Sequence, residues 1–175
     1  MSRGPAVAVV LVLVLLAWAG MWWGWRGRTR RQQGLAAPQV LPAALADRAA
    51  AEGIEATYVS TTAARDWLDR ITVHGLGVRS EARVLATDDG VAVLRVGAPD
   101  LLVPAADLRD VRRESVRAGK AVTGQGLLVW DWDLGDALVS TAVAPRYDAD
   151  RDALQARIQA LIEHDSPFHE QQEAK

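Results

Sequence analysis

The chain has 175 residues and no cysteine. Disulfides and thiolate metal ligands are therefore absent, which suits a reducing compartment without demanding one. No charge occurs between Pro5 and Trp25, and no acidic residue precedes Gln32. No internal repeat is present, so solenoid and propeller architectures are not indicated. No nucleophile–base pair or metal-ligand set stands out at a diagnostic spacing, so the residues point away from an enzyme and toward no cofactor and no metal.

The uncharged run is what the chain has in place of these features. Its 21 residues would span roughly 31 Å as a helix, close to the thickness of a hydrocarbon core. Residues 6–17 are almost all Val, Leu and Ala, while Trp18, Trp22, Trp23 and Trp25 gather toward the C-terminal end. Tryptophan favours the membrane–water interface because it joins an apolar body to one N–H donor. Arg26, Arg28, Arg30 and Arg31 follow at once, whereas only Arg3 precedes the run. The positive-inside rule then places the C-terminal part in the cytoplasm and residues 1–4 outside. The expected interface anchors are Trp22, Trp23, Trp25, Arg26, Arg28, Arg30 and Arg31. A cleaved signal peptide ending at Ala17-Trp18-Ala19 is the competing reading. The apolar character continues past that cut, and the arginine cluster would have to cross the membrane just after it.

The near-neutral total hides an asymmetry. Of 20 basic residues, Arg3 and the four arginines after the run precede Gln32; 15 basic and 22 acidic groups remain over 32–175, a net of −7. An acidic domain lacks the basic face that nucleic acid requires. It is equally unsuited to lie over its whole surface on anionic lipid.

Residues 26–53 read as a basic stub and an Ala/Pro linker, with a short helix possible over 43–51 behind Pro42. From Ile54 to Glu163 the pattern is that of one small domain. Strand-like runs cover 54–60, 79–87, 91–96, 101–103, 110–117, 127–133 and 137–144, separated by Gly- and Asp-rich turns. A two-residue turn at Gly135-Asp136 sets a register of Leu134 opposite Ala137, Trp132 opposite Val139, Trp130 opposite Thr141 and Leu128 opposite Val143. That register puts both tryptophans on one apolar face, where they read as core. Turning at Asp88-Asp89-Gly90, the second hairpin fits a loop of two or three residues. Residues 62–71 read as a loop with a helical turn. The last element is a helix capped by Asp148 or Asp150, with Leu154, Ile158, Leu161 and Ile162 on one stripe. Residues 164–175 read as a flexible polar tail.

Several constellations look chemical and have simpler readings. Asp131, Asp133 and Asp136 miss the spacing of a calcium loop and fit solvent-facing acids beside a hairpin. His164 and His169 flank Pro167 near the C-terminus. His74, before Gly75-Leu76-Gly77, fits a turn. Gly119-Lys120 lacks the following Ser or Thr of a phosphate loop. Arg109, Arg112, Arg113 and Arg117 interleave with Asp107, Asp110 and Glu114, as on a strand edge of paired charges.

About seven antiparallel strands followed by one amphipathic helix is the order of the pleckstrin-homology-like (PH-like) fold, an antiparallel barrel or sandwich. The stretches Tyr58-Val-Ser-Thr-Thr, Trp67-Leu-Asp-Arg-Ile, His74-Gly-Leu-Gly, Thr87-Asp-Asp-Gly, Val103-Pro-Ala-Ala-Asp-Leu and Leu128-Val-Val-Trp resemble a family of actinobacterial single-pass membrane proteins with a PH-like domain. The resemblance covers residues 50–165 and the preceding anchor. It implies a companion of pyrimidine-biosynthesis genes, for which transport or export names are in use. Lipid-binding PH domains carry basic residues near their first loop; here Arg65, Arg70 and Arg79 are offset by Asp66 and Asp69. The expected function is thus a non-enzymatic interaction or scaffold module at the inner membrane face, with a protein partner. A lipid- or small-ligand-binding module, or an accessory subunit of a transport assembly, is the alternative.

Overall fold

The computed structural model describes residues 11–22, 32, 34–64, 66, 68–114 and 126–164. The chain forms two compact units, Met1–Gly34 and Leu35–Lys175.

In the first unit residues 11–22 are helical (α1). Trp18 and Trp22, four residues apart, lie on one face with ring centroids 6.1 Å apart in an edge-on arrangement. Among the described residues no helix is long and apolar enough to cross a membrane. Residues 5–10 and 23–25 of the expected span lie outside the described residues.

The second unit is built on one antiparallel sheet. Its strands are β1 (Ile54–Ala63), β2 (Ser80–Thr87), β3 (Gly90–Arg95), β4 (Leu101–Pro104), β5 (Leu108–Glu114), β6 (Leu127–Leu134) and β7 (Ala137–Pro145). They stand in the order β4-β3-β2-β1-β7-β6-β5, so β4 and β5 are the two edges. β1 is the shared central strand, and its pairing with β7 shifts register between Tyr58 and Ser60. Such a bulge bends a strand and increases its twist.

The expected register of the last hairpin holds pair by pair, from Leu134–Ala137 to Leu128–Val143. Trp130 and Trp132 are buried in the core as their alternation required. The β2–β3 hairpin takes the shorter of its two possible loops, with Thr87 opposite Gly90. The fifth strand starts two residues earlier than the alternation suggested, and residues 115–125, including Arg117 and Gly119-Lys120, lie outside the described set.

The final helix, α3, runs from Asp148 to His164. Leu154, Ile158 and Leu161 are buried in the main core beside Tyr58, Trp130 and Trp132, and Ile162 packs against its margin. Asp148 and Asp150 occupy its first turn, where negative charge suits the helix dipole.

The stretch before Ile54 departs from the linker reading. Helix α2 (Ala43–Glu52) follows Pro42, as its sequence signal suggested. It is docked: Leu41, Leu45 and Ala49 form a second apolar cluster with Ala92 and Leu102 on the outer face of the sheet. The physical reason is alternation. Ala92 and Leu102 point away from the main core and need a cover, which Leu45 and Ala49 of α2 supply together with Leu41 just before it.

Candidate functional site

Two places on the second unit gather polar chemistry. One is internal, at the end of the sheet closed by the β1–β2 connection. The other is a groove on the outer face.

The internal place centres on Arg95, the last residue of β3. Arg95 lies opposite Ala82, on the side of the sheet that faces the core, and is 5% exposed. Its guanidinium stacks over the Tyr58 ring, 4.1 Å from the centroid. Nη2 donates to the Gly75 carbonyl at 2.7 Å, and the Arg95 backbone N–H donates to Asp100 Oδ1 at 2.7 Å. The buried Nε and Nη1 have no acceptor among the described residues. Burial pulls the guanidinium below its usual pKa, against the opposing influence of Tyr58 and Asp100. Burial likewise pushes the Tyr58 phenol above its usual value, against its bond with Thr61 and the charge of Arg95.

Beneath Arg95 runs a chain of buried polar groups. Trp132 Nε1 donates to Thr141 Oγ1 at 2.9 Å. Thr141 and Thr61 hydroxyls meet at 2.7 Å, as do Thr61 and Tyr58. The Tyr58 hydroxyl donates to the Leu76 carbonyl at 2.8 Å. An indole N–H can only donate and a carbonyl can only accept. Each hydroxyl carries one proton, so the direction is fixed: Trp132 to Thr141 to Thr61 to Tyr58 to Leu76. This relay joins β6, β7 and β1 to the segment that follows η1, the short 3-10 turn Val73–Gly75. The Leu76 carbonyl also accepts the Thr61 backbone N–H at 2.9 Å, and Ile71 N–H donates to the Thr61 carbonyl at 3.0 Å. The β1–β2 connection is thus tied down along its second half. His74 and Gly75 both take left-handed backbone angles, φ 56° and 70°. A Cβ on Gly75 would meet Pro99 Cδ at 2.9 Å, so glycine lets this cover close over Arg95.

The outer groove has a volume of about 600 Å3. Its floor follows from the register. Leu94, Arg83 and Glu55 stand side by side across β3, β2 and β1, and Thr57 lies between Glu81 and Ala144. Glu55 accepts from Arg83 at 3.2 Å and from Arg146 at 2.9 Å. Arg83 also donates to the Ala50 carbonyl near the end of α2, where a cation suits the dipole. Val96 is 69% exposed at the rim.

The positions singled out in the sequence sort differently. Trp22 is helical and 55% exposed, while Trp23, Trp25, Arg26, Arg28, Arg30 and Arg31 lie outside the described residues. Arg109 pairs with Asp133 at 2.6 Å, Arg112 with Asp131 at 2.7 Å, and Arg113 with Asp152 at 2.9 Å. The acids of the β6–β7 hairpin thereby face arginines of β5. Among the described residues no cluster suited to a metal occurs. His74 Nε2 lies 3.1 Å from the Leu35 carbonyl. Arg95 drew no attention in the sequence because its burial depends on a loop that returns from elsewhere; the only local hint was an arginine ending an otherwise apolar strand.

A family model described as bacterial PH domain-like matches residues 35–160. The chain belongs to the bacterial PH domain-like family. The match begins where the second compact unit begins and includes α2 as well as the sheet and most of α3. No curated protein matches the chain. Membership in this bacterial PH-like family supports a binding or interaction module, and the pairing of the β5 arginines leaves that patch poorly disposed toward a free anion.

Proposed function

We propose that the protein is a membrane-tethered, non-enzymatic interaction module. The apolar segment Pro5–Trp25 serves as a single anchor, and the PH-like domain binds another protein at the cytoplasmic face of the inner membrane. The tether of residues 26–34 carries Arg26, Arg28, Arg30 and Arg31, which set the direction by the positive-inside rule and suit an anionic leaflet. One helix cannot enclose a pathway, so a part in transport would be as an accessory to a larger assembly.

The observation that carries the protein-partner reading is the outer groove. It is lined by Glu55 and Glu81 beside Arg83 and Arg146, with Leu94, Val96 and Ala144 among them. Charge of both signs interspersed with apolar residues is the composition of a protein interface. Anionic lipid asks instead for an excess of basic residues.

The test uses the full chain in native membranes. A photo-crosslinking residue at Val96 should yield one discrete adduct, weakened by Thr57→Arg on the groove floor. A smear, or an adduct indifferent to Thr57→Arg, would count against the groove. A reporter fused after Lys175 that works only outside the cytoplasm would overturn the orientation.

A further inference from the structure

We propose that Arg95 is the receptor for a carboxylate group that enters beneath the β1–β2 connection. The inference goes beyond the groove reading: Arg95 also borders the outer groove, but its guanidinium lies over Tyr58 on the core side of the sheet.

The folded chain leaves Arg95 incomplete. Its side chain is charged and 5% exposed, yet it makes no ion pair among the described residues and only one hydrogen bond from the guanidinium, to Gly75. Nε and Nη1 are buried without an acceptor. Solvent does not reach those atoms, so bulk water does not complete them. Buried charges in folded proteins are ordinarily paired and hydrogen-bonded. The contacts that Arg95 does make, the Tyr58 ring and the Gly75 carbonyl, use neither Nε nor Nη1. A buried charged group with donors left unmet is a candidate for binding.

The charge balance selects the ligand. Arg95 supplies one positive charge, and Asp100 already stands beside its backbone N–H. With Asp100 counted, a monoanion leaves one excess negative charge at the site and a phosphate dianion leaves two, so the monoanion is the less costly ligand. A carboxylate can take two parallel N–H bonds from one side of the guanidinium, from Nε with the second hydrogen of Nη2 or from Nη1 with Nη2, which lysine cannot reproduce. The Tyr58 face holds the guanidinium plane in place, and the hydroxyl relay holds Tyr58. The cover is local. It consists of the left-handed pair His74-Gly75 and of Pro99 in the β3–β4 turn, so admission requires two short segments to part.

The carboxylate could belong to a small molecule or to the C-terminus of a peptide, and the test separates these. Full-length protein in detergent micelles, labelled with 15N, is titrated with acetate, with an N-acetylated dipeptide acid, with the corresponding dipeptide amide and with inorganic phosphate. The observable is the Arg95 Nε–H correlation, assigned as the cross-peak missing from Arg95→Lys. A saturable one-site shift with the carboxylates, absent with the amide, is expected. Affinity for the dipeptide acid at least about tenfold above acetate assigns the site to a chain terminus, and equal affinities assign it to a small carboxylate. The remaining backbone shifts of Arg95→Lys and Arg95→Met should stay native-like and stop responding to carboxylate. A wild-type spectrum silent to both carboxylates overturns the proposal. So does a response to phosphate alone, or a carboxylate response that persists in Arg95→Lys.

Discussion

Replacing Thr141 by valine tests the polar relay at its pivot. The two side chains have nearly the same shape, so the change removes a hydroxyl and little else. Thr141 is fully buried, as are Thr61 and Tyr58, and Trp132 is 1% exposed. Without Oγ1 the Trp132 indole N–H loses its acceptor inside the core. An orphaned buried donor costs about 1–3 kcal/mol, and the lost Thr61–Thr141 bond adds about 1 kcal/mol. Thr141→Val should therefore destabilise the domain by about 2–4 kcal/mol. Tyr58→Phe acts at the other end and should cost less, about 1–2 kcal/mol. The Leu76 carbonyl keeps the Thr61 backbone N–H, and Thr61 still accepts from Thr141. The Thr61 hydroxyl loses Tyr58 as its acceptor, but a hydroxyl can rotate, whereas the indole N–H of Trp132 is fixed by its ring. The assay is urea unfolding followed by circular dichroism, with midpoints compared at constant slope. In the double variant the two costs should fall short of their sum, since both changes act on one relay. A Thr141→Val cost equal to or below that of Tyr58→Phe would refute this reasoning, because only Thr141→Val strands a donor that cannot turn to another acceptor.

Leu45→Ala on α2 should cost about 2–3 kcal/mol, measured by the same unfolding assay, because Leu45 is buried against Ala92 and Leu102; a cost near zero would return residues 43–52 to the status of a linker. Gly90→Ala should cost at least about 2 kcal/mol in thermal or urea unfolding. Its Cβ would lie 2.1 Å from the Val103 carbonyl at a φ of 134°, and both strands are fixed there by pairing. Stability should fall as pH rises above 10.0, the ordinary tyrosine value, because burial raises the folded-state pKa of Tyr58. The folded state then binds the phenolic proton more tightly than the unfolded state, so the contribution is complete below that pH and lost as pH climbs through the raised value. Absorbance at 295 nm should show Tyr58 ionising together with unfolding, and Tyr58→Phe should remove that part of the pH dependence.

The strands were legible in the sequence because their signals are local. Turns at Asp88-Asp89-Gly90 and Gly135-Asp136 have the residues that tight hairpins need, and alternation then settles which side faces inward. Pairing of Trp132 with Val139 and of Trp130 with Thr141 follows from one turn and period two. The stripe Leu154, Ile158 and Leu161 follows from helical spacing alone. Arg109, Arg112 and Arg113 of β5 read as paired because acids alternate with them, although Asp133 and Asp131, the partners of the first two, lie on β6 and Asp152, the partner of Arg113, lies on α3.

The candidate site was not legible. The Ala-rich stretch before Ile54 has weak periodicity, and its helix became part of the fold because the outer face of β3 and β4 offered an apolar seat. Arg95 looks like any strand-ending arginine until Gly75, 20 residues away, closes on it. Thr61 and Thr141 meet across 80 residues of sequence. Taken alone, the sequence determined the run of strands and final helix, the register of the last hairpin and the uncharged N-terminal run, since each depends on neighbours within a few residues. Tertiary structure decided that α2 belongs to the domain, that a guanidinium lies buried with two donors unmet, and that four side chains form one directed relay. Those outcomes depend on burial, and burial is a property of segments brought together from distant parts of the chain.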